Sequence, residues 1–539
     1  MNKGLFVFYA IGVFTAIAVS TIVFRISLLR NLRISSWLIY LMIGSSVYMP
    51  IAQYLKYSSL HFYVDFSHWL QVLHNISTSG NPLSLNQELL VPGMMNYLSV
   101  HFVPLLYLLA LPFKLWPYGE TIIIVNYLLM LSAIIPLYKL ALHINKDKQF
   151  ALVISALLLW YPTFQYTVLY EFGMLRFSIP VILWMLYFWE KRSMKLYFLF
   201  VFLATLIREE VGLTIMMFGL YLLLIEKERR FGVVTVLIGL GAFVVITQGI
   251  MPALRTTADY SHVAAGSFSR FGSTFSEIII NIVEHPGRVI IAVIQPIKLA
   301  NIFMLFFPLL FIPFLAPAVL MSTLANLGVG LLSESPTHSS YMLYYLSQSV
   351  PFIFYALIKG WQNFLKILKF WTDKWSTRES DGINSKAMAM VLSGIIVTNV
   401  FFGPSPLSLQ FWVRSLKTAP FKTQDFHYSV YKITDHHRKA EEFEKLIPDS
   451  AIVSTQQFLH SKLFKKKAAM IYPQLESIDG NIKADYVFFD KTNNGLKNES
   501  PAYLTQEKFD IVEKDKKNWK LVKFEDSYYL YERIYFDTP

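Results

Sequence analysis

KYSSLHFYVDFSHWLQVLHNISTSGNPLSLNQELLVPGMMNYLSVHFVPLLYLLALPFKLWPYGE, residues 56–120, is the stretch around which the rest of the chain is read. It is mixed in polarity and lies between apolar segments. A loop this long inside a compact protein is usually functional or disordered. Its aromatic and histidine content is too high for a disordered tether. One acid, Asp65, sits in an aromatic setting, FYVDFSHW, and further on come His101-Phe102-Val103, Pro104 and an apolar run. The plainer alternative is that Asp65 only caps a short interfacial helix, with Ser67, His68 and Trp69 in its first turn.

The flanking composition sets the class. Of 539 residues, 54% are hydrophobic and only 16% charged, against about a quarter charged in soluble domains. Repeated apolar runs approach the roughly 20 residues that cross a bilayer. The chain therefore reads as an α-helical polytopic membrane protein whose first partner is the lipid bilayer. Its net charge of +12 does not point to nucleic acid, because many Lys and Arg fall in short loops between apolar runs. With no cysteine, disulfides, thiol catalysis and Cys-based metal sites are excluded. Residues 5–24 lack a strongly basic region before them and a small-residue cleavage site after them, so they read as a retained span.

Basic clusters set the topology. Arg25, Arg30 and Arg33 separate spans 5–24 and 37–55 and place that loop in the cytoplasm. Segment 56–120 then lies outside, with 101–116 as a re-entrant or juxtamembrane helix. Spans follow at 121–142, 150–168, 178–189, 196–207, 211–225 and 231–251. Outer turns between them carry Glu171 with Arg176, and Arg208-Glu209-Glu210. Residues 252–300 form a second outer segment with Arg255, Asp259, His262 and Arg270. Spans 301–315, 317–332, 346–357 and 387–402 complete about twelve, with His338 in an outer loop and 359–386 a basic cytoplasmic loop. After the breaker-rich GPSPLSL the chain turns polar. Residues 1–402 thus read as a transmembrane domain and 403–539 as a small extracytoplasmic α/β domain of a multi-pass plasma-membrane protein. Residues 435–446 read as a helix, and AIVST, AAMIYP, ADYVFFD, WKLVKFED and YYLYERIYF as strands.

There is no Gly-rich phosphate loop, and the adjacent His436-His437 cannot share a helix face. The remaining chemistry is outside: acids Asp65, Glu171, Glu209 and Glu210; cations Arg176, Arg208, Arg270 and Arg288; and the titratable His101 and His338. Three consecutive charges at a membrane boundary, Arg208-Glu209-Glu210, exceed what snorkelling and one local ion pair need. An acid for general-base work beside an arginine for phosphate suits transfer of a group from a lipid-linked phosphate donor. The rival class is a transporter or flippase for a lipid-linked molecule, or a scaffold. There the same groups bind without chemistry; no inverted repeat is found.

Several stretches resemble a family of bacterial and archaeal predicted membrane proteins that is distantly similar to the GT-C superfamily of glycosyltransferases. They are YVDFSHWLQVLHN, in which Asp65 falls on the family's acid; SVHFVPLLYLLALPFKLWP, matching His101, Phe102 and Pro104; and LIREEVGL, matching Arg208, Glu209 and Glu210. RFGSTFSEIIINIVEHPGRV, ANLGVGLLSESPTHSSYMLYY and the tail from EKLIPDSAIVST to ADYVFFD extend the likeness over most of the chain. The chain departs from the family at Glu171-Phe172-Gly173-Met174, where Asp-Phe-His-Pro is usual, and at Val100, where an acid is common. The resemblance implies a GT-C-like fold and a sugar moved from a polyprenyl-phosphate donor to an unspecified acceptor. It matches the superfamily's first-loop acid to Asp65, and the residues' own chemistry makes Asp65 the candidate general base, with His101, Glu209 and Glu210 as further catalytic candidates. Arg208, Arg176, Glu171, Arg270 and His338 would bind substrate. Some GT-C enzymes use a divalent cation and some do not; Asp65 with Glu209 or Glu210 would hold one through oxygen ligands.

Overall fold

The computed structural model describes residues 3–30, 35–256, 267–375, 382–414, 425–496, 500 and 502–534. Arg33 of the first basic loop and Asp259 and His262 of the second outer segment lie outside the described residues, as does part of the basic loop 359–386.

Among the described residues, five helices are long and apolar enough to cross a membrane: Gly4–Ser27, Ser36–Ser58, Gly119–Asn145, Arg229–Ala253 and Ile383–Phe402. Two bent pairs, Lys148–Trp160 with Pro162–Leu169 and Pro286–Val293 with Pro296–Leu309, raise the number to seven if each is one span. The bends of 51° and 68° coincide with prolines. Tyr161 and Gln295, each directly before a proline, are extended (φ −69°, ψ 119° and φ −71°, ψ 130°). That is where the proline ring forces the preceding residue. Residues 150–168 are therefore a broken rod. Residues 301–315 are no single helix either: Leu310 and Phe311 take φ of 51° and 57° and turn the chain. The helix starting at Val350 runs on to Trp375, so the first part of the basic segment 359–386 is helical.

Leu106–Leu115 has 10 residues and spans about 15 Å, half of a hydrocarbon core. It exposes Leu108, Leu111 and Leu115 while burying Leu109 and Phe113, as a juxtamembrane helix does. The short helices Met194–Thr205 and Val211–Leu224 flank the Arg208–Glu210 turn. Val211–Leu224 packs against Arg229–Val244 through four glycines. A Cβ on Gly239 would lie 2.6 Å from the Gly212 carbonyl oxygen and 2.5 Å from the Met216 nitrogen. One on Gly219 would lie 2.6 Å from the Val236 nitrogen, and one on Gly232 2.7 Å from that of Leu223. Backbones this close need small residues at the interface, and the hairpin they lock holds the charged turn at its end.

The C-terminal part is a five-stranded sheet, order β2-β1-β3-β5-β4: β1 Ile452–Thr455, β2 Ala468–Ile471, β3 Tyr486–Asp490, β4 Trp519–Glu525 and β5 Tyr528–Arg533. β1 runs parallel to β2 and β3; β5 runs antiparallel to β3 and β4. Asp435–Glu444 is the expected helix, and Gln506–Glu513 is a further one. The sheet docks on segment 56–120. Leu60 is fully buried among Phe443, Val453, Phe488 and Tyr528. Asn494 Nδ2 donates to the Ser59 and Leu60 carbonyls (3.1 and 3.0 Å). Ser67 Oγ donates to the His460 carbonyl (3.0 Å), and the Ala469 N–H to Asn86 Oδ1 (2.7 Å).

Candidate functional site

Asp65 is the second residue of the helix Val64–Ser79, which follows directly on the turn that the sheet holds. It does not cap that helix. The cap residue Tyr63 has no side-chain cap bond, and the Phe66 N–H is met by Glu171 Oε2 at 3.4 Å, from a distant loop. A buried carboxyl therefore meets the start of the helix, and Asp65 stays exposed, its Oδ2 accepting from the Tyr170 hydroxyl at 2.6 Å. Burial, then the charge of Asp65, pushes the Glu171 carboxyl up to about 8, with Lys56 opposing.

The second group forms where residues 101–102 meet the turn after Thr205. Glu209, buried, takes His101 Nδ1–H on Oε1 (3.0 Å) and the Phe102 N–H on Oε2 (3.0 Å). Arg208 Nη2 lies 3.3 Å from His101 Nε2. A guanidinium can only donate, so Nε2 is the acceptor, and the ring is neutral with its proton on Nδ1. Burial and Arg208 lower His101's affinity for a second proton, against Glu209. Arg208 Nε pairs with Glu210 Oε2 at 3.0 Å and lies 3.6 Å from Glu209 Oε1. Burial raises the Glu210 carboxyl, Arg208 lowers it and Glu209 raises it again, to about 7.

Tyrosines join the two groups. Tyr344 stacks on Tyr345 (4.5 Å between centroids) and packs on Tyr170 at 5.0 Å. Tyr345 meets the His338 ring at 4.6 Å. The charges of Asp65 and Arg208 both act on Tyr97, Tyr344 and Tyr345, with opposite sign. His338 belongs here as well: burial, then Arg208, lowers it to about 4.

Two of the expected substrate ligands are placed elsewhere. Arg176 is fully buried and points inward, its fork on Asn126 Oδ1 (3.1 Å) and on the carbonyls of Val168 and Tyr170. It braces the end of the helix Pro162–Leu169. Arg270 is exposed in the neighbourhood of Glu334, which accepts its backbone N–H, and of Lys298. The tyrosines carry no sequence signal of their own, since they lie in separate segments and aromatic residues are common throughout this chain. Among the described residues no three His, Asp or Glu side chains converge as metal ligands. Glu209 and Glu210 are engaged by His101, Phe102 and Arg208, so the residues present do not form the cation site that Asp65 with either glutamate would make.

Compared with solved structures, the chain has the fold of ArnT from Cupriavidus metallidurans bound to undecaprenyl phosphate. The TM-score is 0.50 at 11% identity, covering 93% of this chain and 99% of that one. The same protein in the apo state matches with a TM-score of 0.45, 12% identity, and coverage of 93% and 98%. No curated protein matches. The fold is thus that of a GT-C-like membrane protein with a small C-terminal sheet domain. The profile of the family described as "Predicted membrane protein (DUF2079)" matches residues 11–527, and the chain belongs to that family.

Proposed function

We propose that this protein transfers a sugar from a polyprenyl-phosphate donor to an acceptor, at the outer face of the plasma membrane where segment 56–120 and the C-terminal sheet meet. The observation that carries the reading is an exposed carboxylate, Asp65, and a largely buried Arg208 joined by one tyrosine-lined wall, within the fold of a protein solved with undecaprenyl phosphate. In the reaction the acceptor hydroxyl gives its proton to Asp65. Its oxygen bonds to the anomeric carbon as the bond from that carbon to the phosphate oxygen breaks. The electron pair leaves on the phosphate, whose charge Arg208 stabilises. Tyr170 orients Asp65 through its hydroxyl, and Glu209 fixes the His101 tautomer beside Arg208.

The test is Asp65→Asn in the full chain, assayed with a labelled polyprenyl-phosphate sugar and a membrane-extract acceptor. Donor binding is retained and transfer falls by at least about 10²-fold, the scale of a lost general base. Undiminished transfer rejects Asp65 as the base. Movement of the donor across the membrane without any transfer in the unmodified protein supports the transport reading instead.

A further inference from the structure

A large cleft lies away from the Asp65 group, between the membrane helices and the C-terminal sheet domain. It has a volume of about 1230 Å³. One wall is formed by Pro112, Trp116, Tyr118, Ile124 and Val125, at the juxtamembrane helix and the start of the span Gly119–Asn145. Trp116, Tyr118 and Ile124 are more than half exposed. Aromatic rings beside an exposed apolar span are the pattern of a membrane–water boundary. The aromatic cluster Tyr57–Phe62–Phe66 stands between this cleft and the start of the Asp65 helix, with ring centroids 4.9–5.9 Å apart.

The other wall is ionic. Lys462 pairs with Glu441 (3.2 Å) and sits 3.9 Å over the Tyr57 ring. Lys466 pairs with Glu444 (2.7 Å) and Asp449 (2.9 Å). Lys445 and Lys465 form no ion pair among the described residues; Lys465 lies 4.7 Å over the Tyr118 ring. Glu120, across the cleft at the head of its span, forms none among them either. The lining thus offers free cations on the sheet side, a free carboxylate on the membrane side, and as many lysines as acids overall.

We propose that this cleft holds the head group of a zwitterionic bilayer phospholipid. The phosphodiester meets Lys445 and Lys465, the head-group ammonium meets Glu120, and the chains run down past Ile124 and Val125. A neutral lining with separated unpaired charges complements a neutral head with separated charges, whereas a purely anionic head leaves Glu120 facing a like charge. The apolar wall opening onto the span gives the acyl chains a continuous path to the bilayer, which a free phosphate ion would not need. The site does not depend on the transferase reading; it would tie the sheet domain to the membrane surface whatever the Asp65 group does.

The absence of native cysteine makes a single reporter clean. Thr121→Cys, carrying an environment-sensitive fluorophore, is titrated in the detergent-purified full chain with dihexanoyl phosphatidylethanolamine. Dihexanoyl phosphatidylglycerol, a phosphate-free dihexanoyl glycolipid and inorganic phosphate are run beside it. The expected result is a saturable change with the ethanolamine lipid, at least fivefold weaker with the glycerol lipid, and absent with the other two. Lys445→Gln with Lys465→Gln, and separately Ile124→Trp, each raise the half-saturating concentration at least tenfold. Lys467→Gln, an exposed lysine outside the cleft, leaves it unchanged. Equal binding of the phosphate-free lipid, equal response to inorganic phosphate, preference for the anionic lipid, no saturable change, or unchanged binding in both cleft variants each overturns the proposal.

Discussion

Glu210 makes the strongest test of the proposed phosphate role of Arg208. Its carboxylate lies 3.0 Å from Arg208 Nε as an ion pair that is not aligned as a hydrogen bond, and it neutralises the charge that a phosphate would need. Desolvation in its half-buried setting, opposed by Arg208 and reinforced by Glu209, pushes its carboxyl up to about 7. Below that pH Glu210 is neutral and Arg208 Nε faces only Glu209 Oε1, at 3.6 Å; above it the Glu210 carboxylate competes as well. A phosphodiester keeps one negative charge throughout, and His101 stays neutral because burial and Arg208 hold its titration below the usual histidine range. Donor affinity should therefore be level in mild acid and fall as pH rises through 7. The limiting loss is about tenfold per pH unit, or about 1.4 kcal/mol. Calorimetric titration of the solubilised chain with a short-chain polyprenyl phosphodiester, from about pH 5.5 to about pH 8.5 around the usual titration range of a perturbed carboxyl, reads this directly. Glu210→Gln removes the competing charge, so its affinity should be high and flat across the range. Affinity that is flat or rising with pH in the unmodified chain, or a slope that survives Glu210→Gln, refutes the competition and with it the placement of phosphate on Arg208.

Glu209→Ala strands two half-buried donors, His101 Nδ1–H and the Phe102 N–H. At the lower end of the about 1–3 kcal/mol that each fully buried stranded donor costs, it should cost roughly 2 kcal/mol in a detergent-unfolding titration followed by circular dichroism, and a loss below about 0.5 kcal/mol would show that these bonds are not formed. Gly239→Leu drives a side chain into backbone 2.5–2.6 Å away that has no room to yield. It should cost at least about 1–3 kcal/mol, where Gly241→Leu, with nothing within 4 Å of its added Cβ, should be near neutral by the same titration. Glu171, raised to about 8 by burial and then Asp65, binds its proton more tightly folded than unfolded. Its contribution is fully present below the ordinary carboxyl range and is lost as pH rises through about 8. Unfolding titrations between those limits should show stability falling in the unmodified chain and a shallower fall in Glu171→Gln; identical slopes would place Glu171 in a less buried setting.

Local chemistry is enough to read the membrane class, the five strands described in the tail and the charged turn at Arg208–Glu210. Hydropathy, alternation and breaker residues act over a few residues, and each of these features is written within such a window. The short apolar runs are harder, because a proline inside a hydrophobic stretch can bend or end it without changing its hydropathy. The 51° break before Pro162 and the turn at Leu310–Phe311 are thus settled only in three dimensions. The same holds for what each charge touches. Asp65 and Tyr170 are 105 residues apart, and His101 and Glu209 are 108 apart; helix packing decides those distances, and the glycine contacts that fix it read in sequence as ordinary apolar spans. Arg176 and Arg208 look alike as arginines in short turns between apolar runs. Packing turns the first inward onto backbone carbonyls and leaves the second beside two carboxylates and a histidine. A side chain's residue type and neighbours in sequence limit what it can bond, and only the folded surroundings decide which partner lies within hydrogen-bonding reach.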